Sequence, residues 1–153
     1  MKLGVISDTH NFFDPQLPAL FWGVEHLLHA GDVGAPRLLS ALRQVAPVTA
    51  VAGNTDDPGL CYPLTQVLTL AGRRFLLHHI VKPHEPSESL KELLARERPN
   101  MVVFGHTHKP FDEVINGTRF FNPGYAGKSR FGMPRSVAIL HCGKSIEAEF
   151  LWL

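Results

Sequence analysis

Five short apolar runs in this chain stop on the same kind of residue, and that regularity constrains the fold more than any other feature. Lys2–Ser7 stops at Asp8-Thr9-His10, Val24–Ala30 at Gly31-Asp32, and Val48–Ala52 at Gly53-Asn54. Arg74–Leu77 stops at His78-His79, and Met101–Phe104 at Gly105-His106-Thr107-His108. Strands must end in polar loops, so chance explains one or two such ends. A chance set would also include Ser, Lys, Glu and Thr as the first polar residue, and this one does not. Glycine precedes the donor at Asp32, Asn54 and His106, which lets the backbone turn sharply or approach a ligand closely. In an open α/β sheet, ligands bind outside the carboxyl ends of the strands, where a rigid scaffold gathers distant loop residues.

The segments between the runs predict the other elements. A short helix is expected from Asp14-Pro15 to about Trp22 with Asp14 as its cap. Pro36 opens a second helix with Leu38, Leu39, Leu42 and Val45 on one face, and Pro47 stops it. A third, from about Ser87 to Arg98, turns Leu90, Leu93 and Leu94 inward and is closed by Pro99. Hairpins are expected around Ala71-Gly72, Asn116-Gly117 and Cys142-Gly143-Lys144. Strand and helix alternate in the first half, and hairpins follow. That argues for an α/β protein of mixed sheets, two of them packed together with helices outside, or a single mixed sheet with an antiparallel extension. The 153 residues fit one domain, 1–153, with no repeat or linker.

Bulk properties exclude more than they assign. A net charge of +1 gives no strong nucleic-acid or membrane signal. The 2 cysteines, Cys61 and Cys142, make no disulfide framework, which fits a reducing cytoplasm. The most apolar later window, Leu17–Leu28, is broken by Pro18, Glu25 and His26, so no membrane span is expected. The 9 histidines stand out, because His is the commonest metal ligand and the usual acid or base near neutral pH.

Asp8, His10, Asp32, Asn54, His78, His106 and His108 are too many donors for one tetrahedral zinc, and suit two cations sharing a carboxylate. Carboxylate, imidazole and amide donors without thiolate suit Mn, Fe, Zn, Ni or Co. Two such ions clamp the attacking and leaving oxygens of an in-line displacement, and a site of that charge attracts phosphate.

These blocks, in this order, resemble the calcineurin-like metallophosphoesterases. Asn122-Pro123-Gly124 matches a further block of the small single-domain bacterial and archaeal branch, which also contains the retromer subunit of this fold. The resemblance implies a four-layer αββα sandwich of two mixed β-sheets flanked by helices. It implies a dinuclear centre, with Mn the first expectation, in which Asp8, His10 and His108 hold one ion and Asn54, His78 and His106 the other. Asp32 would bridge them, and a metal-bridging hydroxide would attack phosphorus in line. The implied function is a cytoplasmic phosphodiesterase acting on a small phosphodiester or nucleotide-like substrate. Its alternatives are a phosphomonoesterase or nucleotide pyrophosphatase on the same site, and a protein-interaction scaffold with a vestigial site. A homo-oligomer is compatible with all of them.

Asp32, Asn54 and Asp56 are the catalytic candidates, with Asp56 or water supplying a proton because Thr55 stands where larger relatives carry a histidine. His79 replaces a common glycine and is expected, with Arg130, near the substrate. Tyr125 replaces the serine common after Asn-Pro-Gly. His26 and His29 are expected to be structural, His141 at the surface, and His84 at the edge of reach of the pocket. Lys128, Arg130 and Arg135 suit either a substrate phosphate or a solvated loop. Phe12, Phe13, Phe21 and Trp22 suit core packing, or else a wall for an organic substituent or a dimer contact.

Overall fold

The computed structural model describes residues 1–153 and contains two five-stranded mixed sheets packed face to face. In chain order the elements are β1 (Lys2–Ile6), α1 (Leu17–Leu20), β2 (His26–His29), α2 (Pro36–Arg43), β3 (Val48–Ala50), β4 (Thr65–Leu70) and β5 (Arg73–His78). They continue with α3 (Glu88–Glu97), β6 (Met101–Val103), β7 (Phe111–Ile115), β8 (Thr118–Asn122), β9 (Ser136–Cys142) and β10 (Ile146–Trp152). One sheet runs β10-β9-β1-β2-β3 and the other β4-β5-β6-β8-β7. No helix is long and apolar enough to cross a membrane.

The four layers follow from period-two alternation along strands apolar on both faces. Leu3, Val5, Leu28, Phe75, Leu77, Met101, Val103 and Phe121 meet between the sheets. Their neighbours Ile6 and Leu27 face α1 and α2, packing against Leu17, Phe21, Leu38, Leu39 and Leu42. Leu76, Val102, Phe104 and Phe120 face α3 and pack on Leu90. Each fully buried Leu, Val or Phe contributes about 1.5–3 kcal/mol. The αββα arrangement is therefore a direct reading of which side chains alternate.

Local signals hold at most boundaries. Pro36 occupies the first turn of α2, and Ser87 Oγ caps α3 by accepting the Leu90 N–H at 3.3 Å. Arg98 closes α3 in the left-handed conformation, one residue before Pro99. Asn116 and Gly117 both take positive φ, 50° and 81°, as a two-residue I′ hairpin requires. The first helix differs from expectation. It covers only Leu17–Leu20, and its N-cap is Gln16 with no side-chain cap. Asp14 instead accepts the Gln16 N–H at 2.9 Å and pairs with Arg135 at 2.7 Å. A largely buried guanidinium partner at 2.7 Å outcompetes a helix end for that carboxylate.

Candidate metal centre

The strand ends converge as the apolar runs imply. β1 and β2 lie parallel, and their pairing continues beyond both strands: Asp8 N–H donates to Gly31 O at 3.0 Å, His10 N–H to Asp32 O at 2.9 Å, and Asn11 N–H to Val33 O at 2.9 Å. From the other sheet, Gly105 N–H donates to His79 O at 3.0 Å, holding the ends of β5 and β6 side by side. Asp56 ties in the third loop. Its carboxylate accepts from Gly34 N–H at 2.7 Å, Gly53 N–H at 2.8 Å and Val33 N–H at 3.1 Å. Both Asp56 oxygens are thus committed to backbone, which gives the residue a positioning role where sequence reasoning expected a proton donor.

Asp8, His10, Asp32, His106 and His108 all take left-handed backbone, with φ of 55°, 44°, 52°, 68° and 59°. Asp and His visit this region more readily than most residues, yet five together is strain of the kind that gathers at functional sites. Two glycines make room for them. A Cβ on Gly53 would lie 2.0 Å from Asp32 Oδ1, and one on Gly105 would lie 2.1 Å from Ser7 Oγ and 2.6 Å from Asp8 Oδ2.

Side chains from these loops form two overlapping donor groups, Asp8 with His10 and His108, and Asp8 with Asp32 and His79. Asp8 Oδ1 lies 3.2 Å from His108 Nε2, and Asp32 Oδ2 lies 3.7 Å from His10 Nε2. Asn54 Oδ1 lies 3.0 Å from His106 Nδ1 and 3.1 Å from His79 Nε2. His79 Nε2 also lies 3.4 Å from Asp32 Oδ2 and 3.9 Å from Asp8 Oδ1.

His78 and His79 exchange the places expected of them. His78 turns towards β4, with Nδ1 2.8 Å from Thr65 Oγ1, and joins neither donor group. The reason is parity: Phe75 and Leu77 face the inter-sheet core, so His79 follows them and His78 does not. Counting alternation along β5 would have found this.

The donors fit a cation on polarity alone. Ala30 O sits 2.7 Å from His79 Nδ1 and fixes the proton there. The Nε2 lone pair then faces carboxylate and amide oxygens, all of them acceptors. Only a proton or a metal ion relieves that arrangement. Burial disfavours the imidazolium, but the hydrogen bond to Asp32 and the Asp8 charge outweigh it and raise the His79 pKa. His10 Nε2 is buried without any hydrogen-bond partner. Burial holds His10 below its usual range, and the charges of His108 and Arg130 add to that against Asp32 and Asp8. Asp32 is desolvated too, yet hydrogen bonds from His79 and the Thr55 N–H keep its carboxyl far below the ordinary value.

Residues 1–145 match the profile described as the calcineurin-like phosphoesterase superfamily domain. The chain belongs to that superfamily. A probable metallophosphoesterase of Methanothermobacter thermautotrophicus is 31% identical over 158 residues, covering 99% of this chain and 92% of the relative. The phosphodiesterase YfcE of Escherichia coli is 32% identical over 171 residues, covering 92% of this chain and 87% of YfcE. Chaetomium thermophilum Vps29 superposes with a TM-score of 0.79 at 16% identity, covering 100% of this chain and 95% of Vps29, a likeness of fold.

Further residues of this phosphoesterase domain hold the donors in place. Asn122 Nδ2 donates to Gly105 O at 2.9 Å and Thr107 Oγ1 at 3.1 Å, fixing the turn that separates His106 from His108. Tyr125 is fully buried, its ring 4.6 Å from that of His108, and its hydroxyl donates to Lys128 O at 3.0 Å. Sequence reasoning noted this Tyr only as a departure and missed its packing role. Arg135 is spent on Asp14 and Gly127 O, whereas Arg130 stays exposed. His84 pairs with Glu113 at 3.1 Å at the surface, His26 with Thr49 at 2.8 Å, and His141 with Glu149 at 3.2 Å.

His29 is fully buried and bridges the first two ligand loops. Its Nδ1 accepts the Gly31 N–H at 3.2 Å, so Nε2–H donates to Thr9 Oγ1 at 2.9 Å, and the Thr9 hydroxyl passes on to Val33 O at 2.9 Å. Burial pushes the His29 pKa from 6.5 down to about 3. The depressed folded value means the unfolded chain takes up this proton first. The stabilisation from a neutral His29 is therefore intact above pH 6.5 and lost progressively towards pH 3. Between pH 7 and pH 5 this one residue should cost about 2 kcal/mol, at about 1.4 kcal/mol per pH unit. Denaturant melts of metal-free wild type and His29→Gln at both pH values test it. The variant should show the smaller pH dependence by about that amount, and equal dependence would refute the account.

Proposed function

We propose that the protein is a phosphodiesterase that works with two divalent cations. The observation that carries this reading is the His79 Nε2 lone pair facing acceptor oxygens of Asp8, Asp32 and Asn54, a polarity that a cation satisfies. Asp8, His10 and His108 would hold one ion, and Asn54, His79 and His106 the other, with Asp32 serving both. Mn²⁺ is the first candidate, with Fe, Zn, Ni and Co compatible with the same donors. When bound, such ions supply Lewis acidity and a water acidic enough to be a nucleophile at neutral pH.

The chain's own residues do the rest. Asp32 stays ionised and pulls positive charge to the centre of the cluster. Arg130, whose charge reaches His10, adds attraction for an anionic phosphate from the solvent side. Asp56 is occupied by three backbone donors and Thr55 replaces a titratable group, so leaving-group protonation falls to solvent. That favours diesters with good leaving groups over alkyl monoesters, in keeping with YfcE being a phosphodiesterase.

The test is metal removal and return. Chelation should abolish hydrolysis of bis(p-nitrophenyl) phosphate, and Mn²⁺ should restore it together with a higher melting temperature. At a hundredfold excess over Kd the gain in stability is about 2.7 kcal/mol. p-Nitrophenyl phosphate should be the poorer substrate. Absence of diester turnover with every one of the named metals would overturn the proposal.

A further inference from the structure

Beside the second donor group lies a trough of about 320 Å³ lined by Ala52, Gly53, Asn54, Leu64, His78, His79 and Ile80. His79 belongs to both, and Asn54, on the trough wall, lies 3.1 Å from its Nε2, so the trough borders the candidate metal centre. Its walls carry no Lys, Arg, Asp or Glu. Leu64 is 72% exposed and Ile80 46% exposed, which places two large apolar side chains in water at the rim of the candidate metal centre. The walls are firmly built: Ala52 N–H donates to Pro63 O at 2.8 Å, and His78 holds Thr65, next to Leu64. A larger cleft of about 700 Å³ beside α3 touches none of the candidate ligands, so size alone does not mark the site.

We infer that this trough is the subsite for the retained ester substituent of the substrate, and that it takes an uncharged aromatic or aliphatic group. The inference rests on the phosphodiesterase reading. A charged substituent would lose water against Leu64 and Ile80 with no counter-charge to meet it. The leaving group develops negative charge as the P–O bond breaks, which the apolar wall disfavours. It is better placed on the open side, towards His10 and Arg130. The volume is at the low end of the roughly 300–1,000 Å³ of small-molecule sites, enough for one ring and too small for a polymer segment.

Three diesters sharing a p-nitrophenolate leaving group test this on the metal-loaded enzyme, with methyl, phenyl or 4-carboxyphenyl as the second ester. Phenyl should exceed methyl by about tenfold in kcat/KM, mainly through KM, and the carboxylate should lose that advantage. Leu64→Ser and Ile80→Ser should each bring the phenyl-to-methyl ratio to within about threefold of unity. Val114→Ser, which removes an equally exposed apolar side chain on β7, should leave the ratio as in wild type. A flat ratio in wild type, or a ratio that survives both trough variants, overturns the assignment. So does a wild-type dimer in sedimentation that Leu64→Ser dissociates, because a second copy would then be the occupant. Turnover with a flat ratio sinks only the trough, whereas no turnover of any diester sinks the phosphodiesterase reading with it.

Discussion

An Asp32→Asn variant is expected to lose about a thousandfold or more in diester kcat/KM and to purify with less bound metal. The substitution removes charge and little else. Asp32 Oδ1 accepts the Thr55 N–H at 2.9 Å, and an amide oxygen can keep that bond. Oδ2, which faces His79 at 3.4 Å and His10 at 3.7 Å, loses its charge, and the Asn side chain can present an N–H₂ there. The carboxylate proposed to serve both ions is then gone, while the shape around Gly53 is preserved. Folding of the metal-free protein should weaken by about 1–3 kcal/mol, because the hydrogen bonds from His79 and the Thr55 N–H that keep Asp32 ionised lose their charged partner. Metal analysis, steady-state kinetics and a denaturant melt check the three parts. A variant retaining more than a tenth of wild-type activity would show that Asp32 does not serve the reaction.

The second large effect separates neighbouring histidines. His79→Ala should lose bound metal and about a hundredfold or more of activity, since it removes a nitrogen close to three donor oxygens. His78→Ala should purify with the full wild-type metal content, because its imidazole is engaged with Thr65. Its effect should instead be a raised KM for substrates that fill the trough it lines. Metal stoichiometry measured on both variants decides the matter. Loss of metal in His78→Ala with retention in His79→Ala would reverse the assignment.

Most of the scaffold was legible because its signals are local. Apolar runs ending at Asp8, Asp32, Asn54 and His106 marked strand ends, and Asn116-Gly117 marked a hairpin. The misreadings concern residues with two suitors. Asp14 can cap a helix or bind Arg135, and the partner lies 121 residues away. Asp56 looks like an acid until backbone donors of its own loop and of the loop after β2 are seen to converge on it. The trough was illegible for a related reason. Leu64 and Ile80 come from irregular segments on either side of the β4–β5 hairpin, and only its register, pairing Thr65 with His78, brings them together.

The ladder that carries β1–β2 pairing on through Asp8–Gly31, His10–Asp32 and Asn11–Val33 has a consequence for how such a protein can change. Lengthening either loop by one residue would shift its register against the other and misplace both carboxylates at once. Those two loops are therefore closed to insertion, and variation there is confined to swapping side chains. The room for new specificity lies elsewhere, in the 128–135 segment that carries Arg130 and in the approach to Leu64. A library built to change what the enzyme accepts should spend its insertions in those two places.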